Sequence, residues 1–230
     1  MPDALKIPVH ECFHTWQGEG VHLGRAAYFI RTYGCPIHCP WCDSAGTWHP
    51  DYTPDSIVRI PVTKLAEQAA ASRPEFVVVT GGEPAVHDLA PLTDALRRSG
   101  LRIHLETSGA FAIRGAFDWI TVSPKRWKLP LAEALAAADE LKIIVDEPGA
   151  IAFWHDQLRP YLHPDRPVWL HPEWSRREDP VILHAISDWI KSRRAPYRAG
   201  WQLHKVYHVD ALDPHSRANV PLGGNPELGY

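Results

Sequence analysis

The chain has 230 residues, 45% of them hydrophobic and 22% charged, with 24 Lys and Arg against 27 Asp and Glu for a formal net charge of −3. A domain of this size buries roughly 70–75% of the surface its unfolded chain exposes, so its core needs no disulfide staples. The slight acidic excess gives no general attraction for polyanions, which argues against nucleic acid as a partner. No stretch approaches the ~20 apolar residues of a membrane span, and Met1-Pro2-Asp3-Ala4-Leu5-Lys6 lacks an apolar signal core, so neither insertion nor export is expected. Short β-branched or aromatic runs alternate with Ala/Leu-rich stretches of helical period, the signature of βα units on a parallel sheet. In chain order the pattern predicts strands over Ala27–Tyr33, Phe76–Thr80, Leu101–Glu106, Trp119–Val122, Leu141–Val145, Val168–Leu170 and Trp201–Val206. Helices are predicted over Val62–Ser72, Leu89–Ser99, Pro130–Ala138, Gly149–Leu158 and Pro180–Arg193, with Gly100 placed as a helix stop. A complete eight-unit barrel takes about 250 residues. Because Cys35–Pro61 shows no clear periodicity, one domain over 1–230 is expected, folded as an incomplete TIM-like (βα) barrel of about six parallel strands. The tail Tyr207–Tyr230, rich in Pro, Gly, Asn and His, has no sustained pattern and is left open between loop, dimer contact and disorder.

The four cysteines are Cys12, Cys35, Cys39 and Cys42, the last three in a C-x3-C-x2-C run, Cys35-Pro36-Ile37-His38-Cys39-Pro40-Trp41-Cys42. An oxidised framework rarely crowds thiols so closely, and a reducing cytoplasm fits them better. Structural zinc takes four protein ligands, whereas three thiolates on one loop hold an iron cluster by three corners and leave one iron open. Cys12, outside this loop, reads as a small buried hydrophobe. Catalytic groups in parallel α/β folds gather at the carboxyl ends of strands, and further motifs fall there. Phe76–Thr80 runs into Gly81-Gly82-Glu83-Pro84, where two glycines let a ligand approach the backbone. Later strands end in Glu106-Thr107-Ser108-Gly109, Ser123-Pro124-Lys125 and His171-Pro172-Glu173-Trp174-Ser175. Each alone is ordinary turn chemistry. Their recurrence at successive strand ends is what points to a site.

The cysteine spacing and the GGEP strand end resemble the radical S-adenosylmethionine (SAM) superfamily, in which the open iron is chelated by SAM's methionine moiety. The segment Cys12-Phe13-His14-Thr15-Trp16-Gln17-Gly18-Glu19-Gly20, the strand Ala27-Tyr28-Phe29-Ile30-Arg31 and the pair Cys42-Asp43 narrow the likeness. Together they resemble the 7-carboxy-7-deazaguanine synthase family, from Thr15 to about Lys205, including Gln202-x-His204-Lys205, similar to a family element that closes the barrel mouth. The resemblance implies a radical SAM lyase that turns 6-carboxy-5,6,7,8-tetrahydropterin into 7-carboxy-7-deazaguanine plus ammonia, in 7-deazapurine and queuosine biosynthesis. It implies a [4Fe–4S] cluster on Cys35, Cys39 and Cys42, with SAM against Trp41 and Asp43. Further SAM contacts are implied at Gly82, at Ser123, Pro124 and Lys125, and at His171, Pro172, Glu173 and Trp174. Substrate contacts are implied at Trp16, Gln17, Gly18 and Thr80, with Arg31 pairing its planar fork with a carboxylate. Magnesium is implied at Ser44, where the family carries threonine; serine keeps the hard oxygen but lacks the methyl that restricts the rotamer. A homodimer and an electron donor such as flavodoxin or ferredoxin are also implied. Two other readings compete. One is a glycyl-radical activating enzyme, which has no use for Arg31 facing a small carboxylate. The other is a zinc-binding RNA-interaction module completed by His38, His49 or Cys12, which leaves Thr15–Gly20 and Gly81–Pro84 unexplained.

Overall fold

The computed structural model describes residues 5–217. Nine strands form one sheet: β1 (Lys6–Trp16), β2 (Ala26–Thr32), β3 (Arg59–Pro61), β4 (Phe76–Gly81), β5 (Ile103–Thr107), β6 (Trp119–Val122), β7 (Glu140–Val145), β8 (Val168–Pro172) and β9 (Tyr197–Ala199). Their order is β3-β1-β2-β4-β5-β6-β7-β8-β9, and the two edge strands do not pair with each other. The result is an open, incomplete barrel. From β2 through β9 every neighbouring pair is parallel, while β1 and β3 add an antiparallel extension beside β2. The six expected parallel strands are β2 and β4–β8.

Helices α1 (Val62–Ala71), α2 (Ala90–Arg98), α3 (Ala132–Ala137), α4 (Gly149–Leu158) and α5 (Pro180–Arg193) supply the outer layer. Leu65, Ala66 and Ala69 of α1 and Leu92, Ala95 and Leu96 of α2 recur at helical spacing and pack on Ile30, Val77, Val79, Ile103 and Leu105. A second cluster joins α4 and α5 to Leu141, Ile143, Val145, Val168 and Leu170. Val77, Val78 and Val79 are all fully buried, as a strand covered on both faces requires. Gly100 ends α2 in the left-handed region at φ +75, and Leu101 N donates back to Leu96 O at 3.2 Å, so the helix stop is realised as expected. At the start of α5, Asp179 accepts from Val181 N at 2.9 Å and Pro180 takes a first-turn position that needs no N–H.

Two expectations change. Trp201–Val206 is not a strand: the last parallel strand is β9, and the chain then turns into the short helix α6 (Leu203–Tyr207). The buried ends of Gln202 and Lys205, three residues apart, both enter the site, whereas an alternating strand would send them to opposite faces. Pro130–Ala138 also shrinks to α3, because Leu131 is extended at φ −72, ψ 146. β1 was not foreseen, since Pro8, His10, Glu11 and His14 break its apolar alternation. Of the tail, Tyr207–Arg217 folds back on β1: Asp213 accepts from His14 N at 2.8 Å, and Glu11 accepts from Arg217 N at 2.5 Å. Residues 218–230 lie outside the described residues.

Candidate active site

Alternate residues of the strands face inwards. On β7 these are Glu140, Lys142 and Ile144, opposite the helix-facing Leu141, Ile143 and Val145. The segment after β1 enters this inner face. Gly20, at φ +70, passes so close to Glu140 that a Cβ there would lie 2.5 Å from its carboxylate. Glu140 accepts from Val21 N (3.0 Å), Trp119 Nε1 (3.2 Å), Thr121 Oγ1 (2.8 Å) and Trp169 Nε1 (2.7 Å), fixing the turn at the amino-terminal end of the strands. Further along, Glu19 meets Lys142 Nζ at 2.5 Å, and Lys142 also reaches Glu106 at 3.0 Å. Gln17 Nε2 donates to the other Glu106 oxygen at 2.8 Å.

Above this floor lies a cavity of about 200 Å³. Cys35, Cys39, Cys42, Trp41, Asp43 and Ser44 face it from the loop after β2. Trp16, Gln17, Gly18, Arg31 and Thr80 line it from the β1 end and from β2 and β4, where Arg31 and Thr80 are register partners. Gly82, Ser123, Lys125, Pro172, Glu173 and Trp174 complete the wall from successive strand ends. The structure therefore brings together all but two of the residues singled out in the sequence. Pro124 is buried behind the lining. His171 faces inwards but is fully buried against Gly200, where a Cβ would come within 2.2 Å of its ring, and it does not reach the cavity.

Four residues on the cavity wall escaped sequence reasoning as a set. Glu19 and Lys142 form the floor pair, and Gln202 and Lys205 close the mouth. Gln202 Nε2 bridges Glu19 (2.8 Å) and Asp43 (3.1 Å), while Lys205 Nζ meets Asp43 at 2.8 Å and Gln202 Oε1 at 2.9 Å. The T-x-Q-G-E-G and Q-x-H-K motifs hinted at three of them. Lys142 carried no signal beyond a charge inside an apolar strand.

The electrostatics follow from burial. Lys142 and the nearby imidazoles hold Glu19 well below the usual carboxylate range against its desolvation, and Glu106 and Glu19 push Lys142 up in the same way. Asp43 stays ionised because Lys205 and Gln202 offset its burial. The Glu83 carboxylate, beside the two glycines of the β4 end, is fully engaged by the protein itself. It accepts from Ala85 N (3.0 Å), Thr107 Oγ1 (2.5 Å), Ser108 N (2.8 Å) and Ser108 Oγ, tying the β4 end to the β5 end. Gly82 lies on the cluster loop, with a would-be Cβ 2.6 Å from Gly34 O and 2.9 Å from Cys35 Cβ.

The three loop cysteines fit an iron–sulfur cluster. All are free thiols, and Ile37 and Ala110 pack with the buried Cys39 beneath Cys35 and Cys42. Trp48 Nε1 and Ser44 N donate to Cys42 Sγ at 3.2 and 3.4 Å, the kind of bond that stabilises a metal-bound thiolate. Burial pushes Cys39 up to about 12 and Cys42 to about 11, so a metal is needed to hold them as thiolates at neutral pH. Among the described residues, no three His, Cys, Asp or Glu side chains converge as a site for a single metal ion.

No protein-family model matches the chain. It is 47% identical over 205 residues to the 7-carboxy-7-deazaguanine synthase of Synechocystis, covering 89% of this chain and 94% of the relative. The Flavobacterium psychrophilum synthase is 39% identical, with 88% and 92% covered, and the Escherichia coli K12 synthase 36%, with 89% and 100%. A crystal structure of QueE from Escherichia coli superposes with a TM-score of 0.73 at 32% identity, covering 86% of this chain and 95% of that one. Sequence likeness over nearly the whole chain, a shared open barrel and the clustered cysteines agree: this chain belongs to the 7-carboxy-7-deazaguanine synthase family.

Proposed function

We propose that this chain is a radical SAM lyase converting 6-carboxy-5,6,7,8-tetrahydropterin to 7-carboxy-7-deazaguanine with release of ammonia, a step towards the 7-deazapurine core of queuosine. The observation that carries this reading is one cavity shared by three free thiols, the Trp16–Glu19 segment and the ends of successive parallel strands. Such an enzyme works with SAM and a [4Fe–4S] cluster. When bound, that pair supplies a carbon-centred radical able to remove a hydrogen from the substrate.

The chain's own part is placement and exclusion. Cys35, Cys39 and Cys42 hold the cluster. Lys125, its ammonium fixed by Ser123 O and Oγ at 2.8 and 2.6 Å and lying over Trp41, offers a positive charge beside it. Trp41, Asp43, Gly82, Ser123, Pro172, Glu173 and Trp174, which line the same cavity, would hold SAM, with Pro124 and His171 buried behind them. Trp16, Gln17 and Gly18 give the pterin a backbone and amide edge, and Thr80 stands beside Arg31. Arg31 keeps its Nε on Glu11 at 2.6 Å and its Nη1 on Ser44 Oγ at 3.1 Å, so the head is held in place before a substrate carboxylate arrives. The Glu19–Lys142–Glu106 floor shuts the cavity to water from below.

Magnesium belongs at Ser44 in this reading. Its hydroxyl lines the cavity, accepts from Arg31 and turns towards Asp43 Oδ1 at 3.5 Å, which leaves it a lone pair, while Asp43 Oδ2 is held by Lys205 and Gln202. One hard oxygen fits Mg2+ only with substrate oxygens and water completing the shell. There the ion would balance negative charge on the substrate. We further propose a single domain over 1–230, a homodimer, a reducing cytoplasm and a one-electron donor such as flavodoxin or ferredoxin. The free cysteines support the reducing compartment, and no helix among the described residues is long and apolar enough to cross a membrane.

The test is anaerobic reconstitution, reduction, and mass spectrometry of the products from SAM and the carboxytetrahydropterin. Ring-contracted product is expected from the wild type and none from Cys39→Ala. No product from cluster-loaded wild type, or full activity in Cys39→Ala, overturns the assignment.

A further inference from the structure

We propose that Lys205 is a positioning residue that raises the reduction potential of the iron–sulfur cluster by neutralising Asp43. This rests on the cluster assignment above and adds a role for a residue 162 positions away in sequence from its partner. Asp43 follows Cys42 directly and faces the same cavity as all three thiols. A carboxylate there opposes adding an electron to the cluster, because reduction places more negative charge beside it, and with its side chain 39% exposed to the cavity it acts as a partly screened charge.

Lys205 removes that opposition. Its side chain is only 3% exposed, its ammonium lies 2.8 Å from Asp43 Oδ2, and its remaining contacts are Gln202 Oε1 at 2.9 Å and the Trp174 ring at 5.1 Å. Burying an ammonium costs several kcal/mol unless it is paired, so Lys205 stays where it is because Asp43 is charged. The other charges facing this part of the cavity are already matched or fixed elsewhere. Arg31 pairs with Glu11, Lys142 with Glu19 and Glu106, and Glu83 is satisfied by four donors. Lys125 is held by Ser123. No other cation among the described residues forms an ion pair with Asp43. Without Lys205, the carboxylate beside a cluster ligand loses its one ion-pair partner and keeps the Gln202 hydrogen bond and the more distant charges of Arg31 and Lys125.

The experiment is a redox titration of the reconstituted holoprotein followed by electron paramagnetic resonance, at mildly alkaline pH and without SAM. Lys205→Met keeps the length and apolar stem and removes the charge, and its midpoint is expected at a more negative potential than the wild type. Lys205→Arg is expected to restore it. Asp43→Asn, which leaves the Lys205 charge unmatched, is expected to move the midpoint the other way, and Lys205→Met in the Asp43→Asn background to bring it back towards the wild-type value. A wild-type midpoint in Lys205→Met with full iron and sulfide content overturns the proposal. If that variant does not fold, an unmoved midpoint in Asp43→Asn overturns it equally. A wild-type sample that takes up no [4Fe–4S] cluster is a different result, for it removes the proposed function itself.

Discussion

Lys142 on β7 lies 2.5 Å from Glu19, across the inner face of the sheet, and this contact pins the segment after β1 inside the barrel. Both side chains are buried, at 13% and 8% exposure, and the same ammonium serves Glu106. Lys142→Met therefore leaves two carboxylates facing each other without a cation. Removing one partner of a buried pair costs about 3–5 kcal/mol. A loss of that order is expected in urea unfolding of the cluster-free protein, and Glu19→Gln combined with Lys142→Met is expected to lose less than the sum of the single variants.

Cluster binding is expected to separate the four cysteines. Ala replacements at Cys35, Cys39 or Cys42 should each abolish the brown colour and the cluster's iron and sulfide. Cys12→Ala should keep both, because Cys12 packs against the helix-side core and burial pushes its thiol up to about 12. The same burial predicts that Cys12 alkylates slowly in native protein. Loss of iron in Cys12→Ala contradicts the three-corner arrangement.

Magnesium is expected to depend on the substrate. With only the Ser44 hydroxyl offered by the chain, titration calorimetry should detect no specific Mg2+ binding to the protein alone and clear binding once the substrate or product is present. Ser44→Ala should raise the Mg2+ concentration needed for half-maximal turnover, and Ser44→Thr should not. Equal metal response in all three proteins removes Ser44 from the metal's shell.

Acid stability is expected to fall in two stages. Burial lowers His104 from 6.5 to about 3, and His171 and His10 from 6.5 to about 4, so each is neutral in the fold where the unfolded chain takes up a proton. Above about pH 6.5 both states are neutral and nothing is lost. As pH falls from there towards 4, the unfolded state binds more protons, and stability drops by at most about 1.4 kcal/mol per pH unit for each histidine. Glu19 and Asp43, held below their ordinary range, add a loss only at more acid pH. His104 stacks on Phe76 at 3.9 Å, and its Nε2 has no hydrogen-bond partner. His104→Phe should therefore flatten the first stage in unfolding curves taken between pH 7.5 and 5, and an unchanged slope refutes its part in it.

Much of this was legible in the residues. Helices α4 and α5 run as their periodicity predicts, Gly149–Leu158 and Pro180–Arg193, because their apolar faces and the Asp179-Pro180 start are local signals. The cysteine loop and the strand-end motifs found the cavity for the same reason. What stayed hidden depends on partners far away. Lys142 looks like an ordinary charge in a strand until Glu19 is folded against it. The Gln202-x-His204-Lys205 motif points to the barrel mouth through the family likeness, but the run around it reads as a strand, and its distant partners Glu19 and Asp43 are met only in the fold. His171 stands at a strand end, as a ligand contact should, but Gly200 lets the neighbouring backbone close over its ring.

The inward turn of the β1 end also sets the order in which this molecule can be made. Its ties run to Lys142 over 123 residues, to Gln202 over 183, and from Thr15 to Asp210 over 195. Contacts of such sequence separation form late, since their loop-closure entropy is offset only once both ends exist. A nascent polypeptide halted before Gln202 can pair its strands and lay down its helices, but it has no mouth to its catalytic chamber.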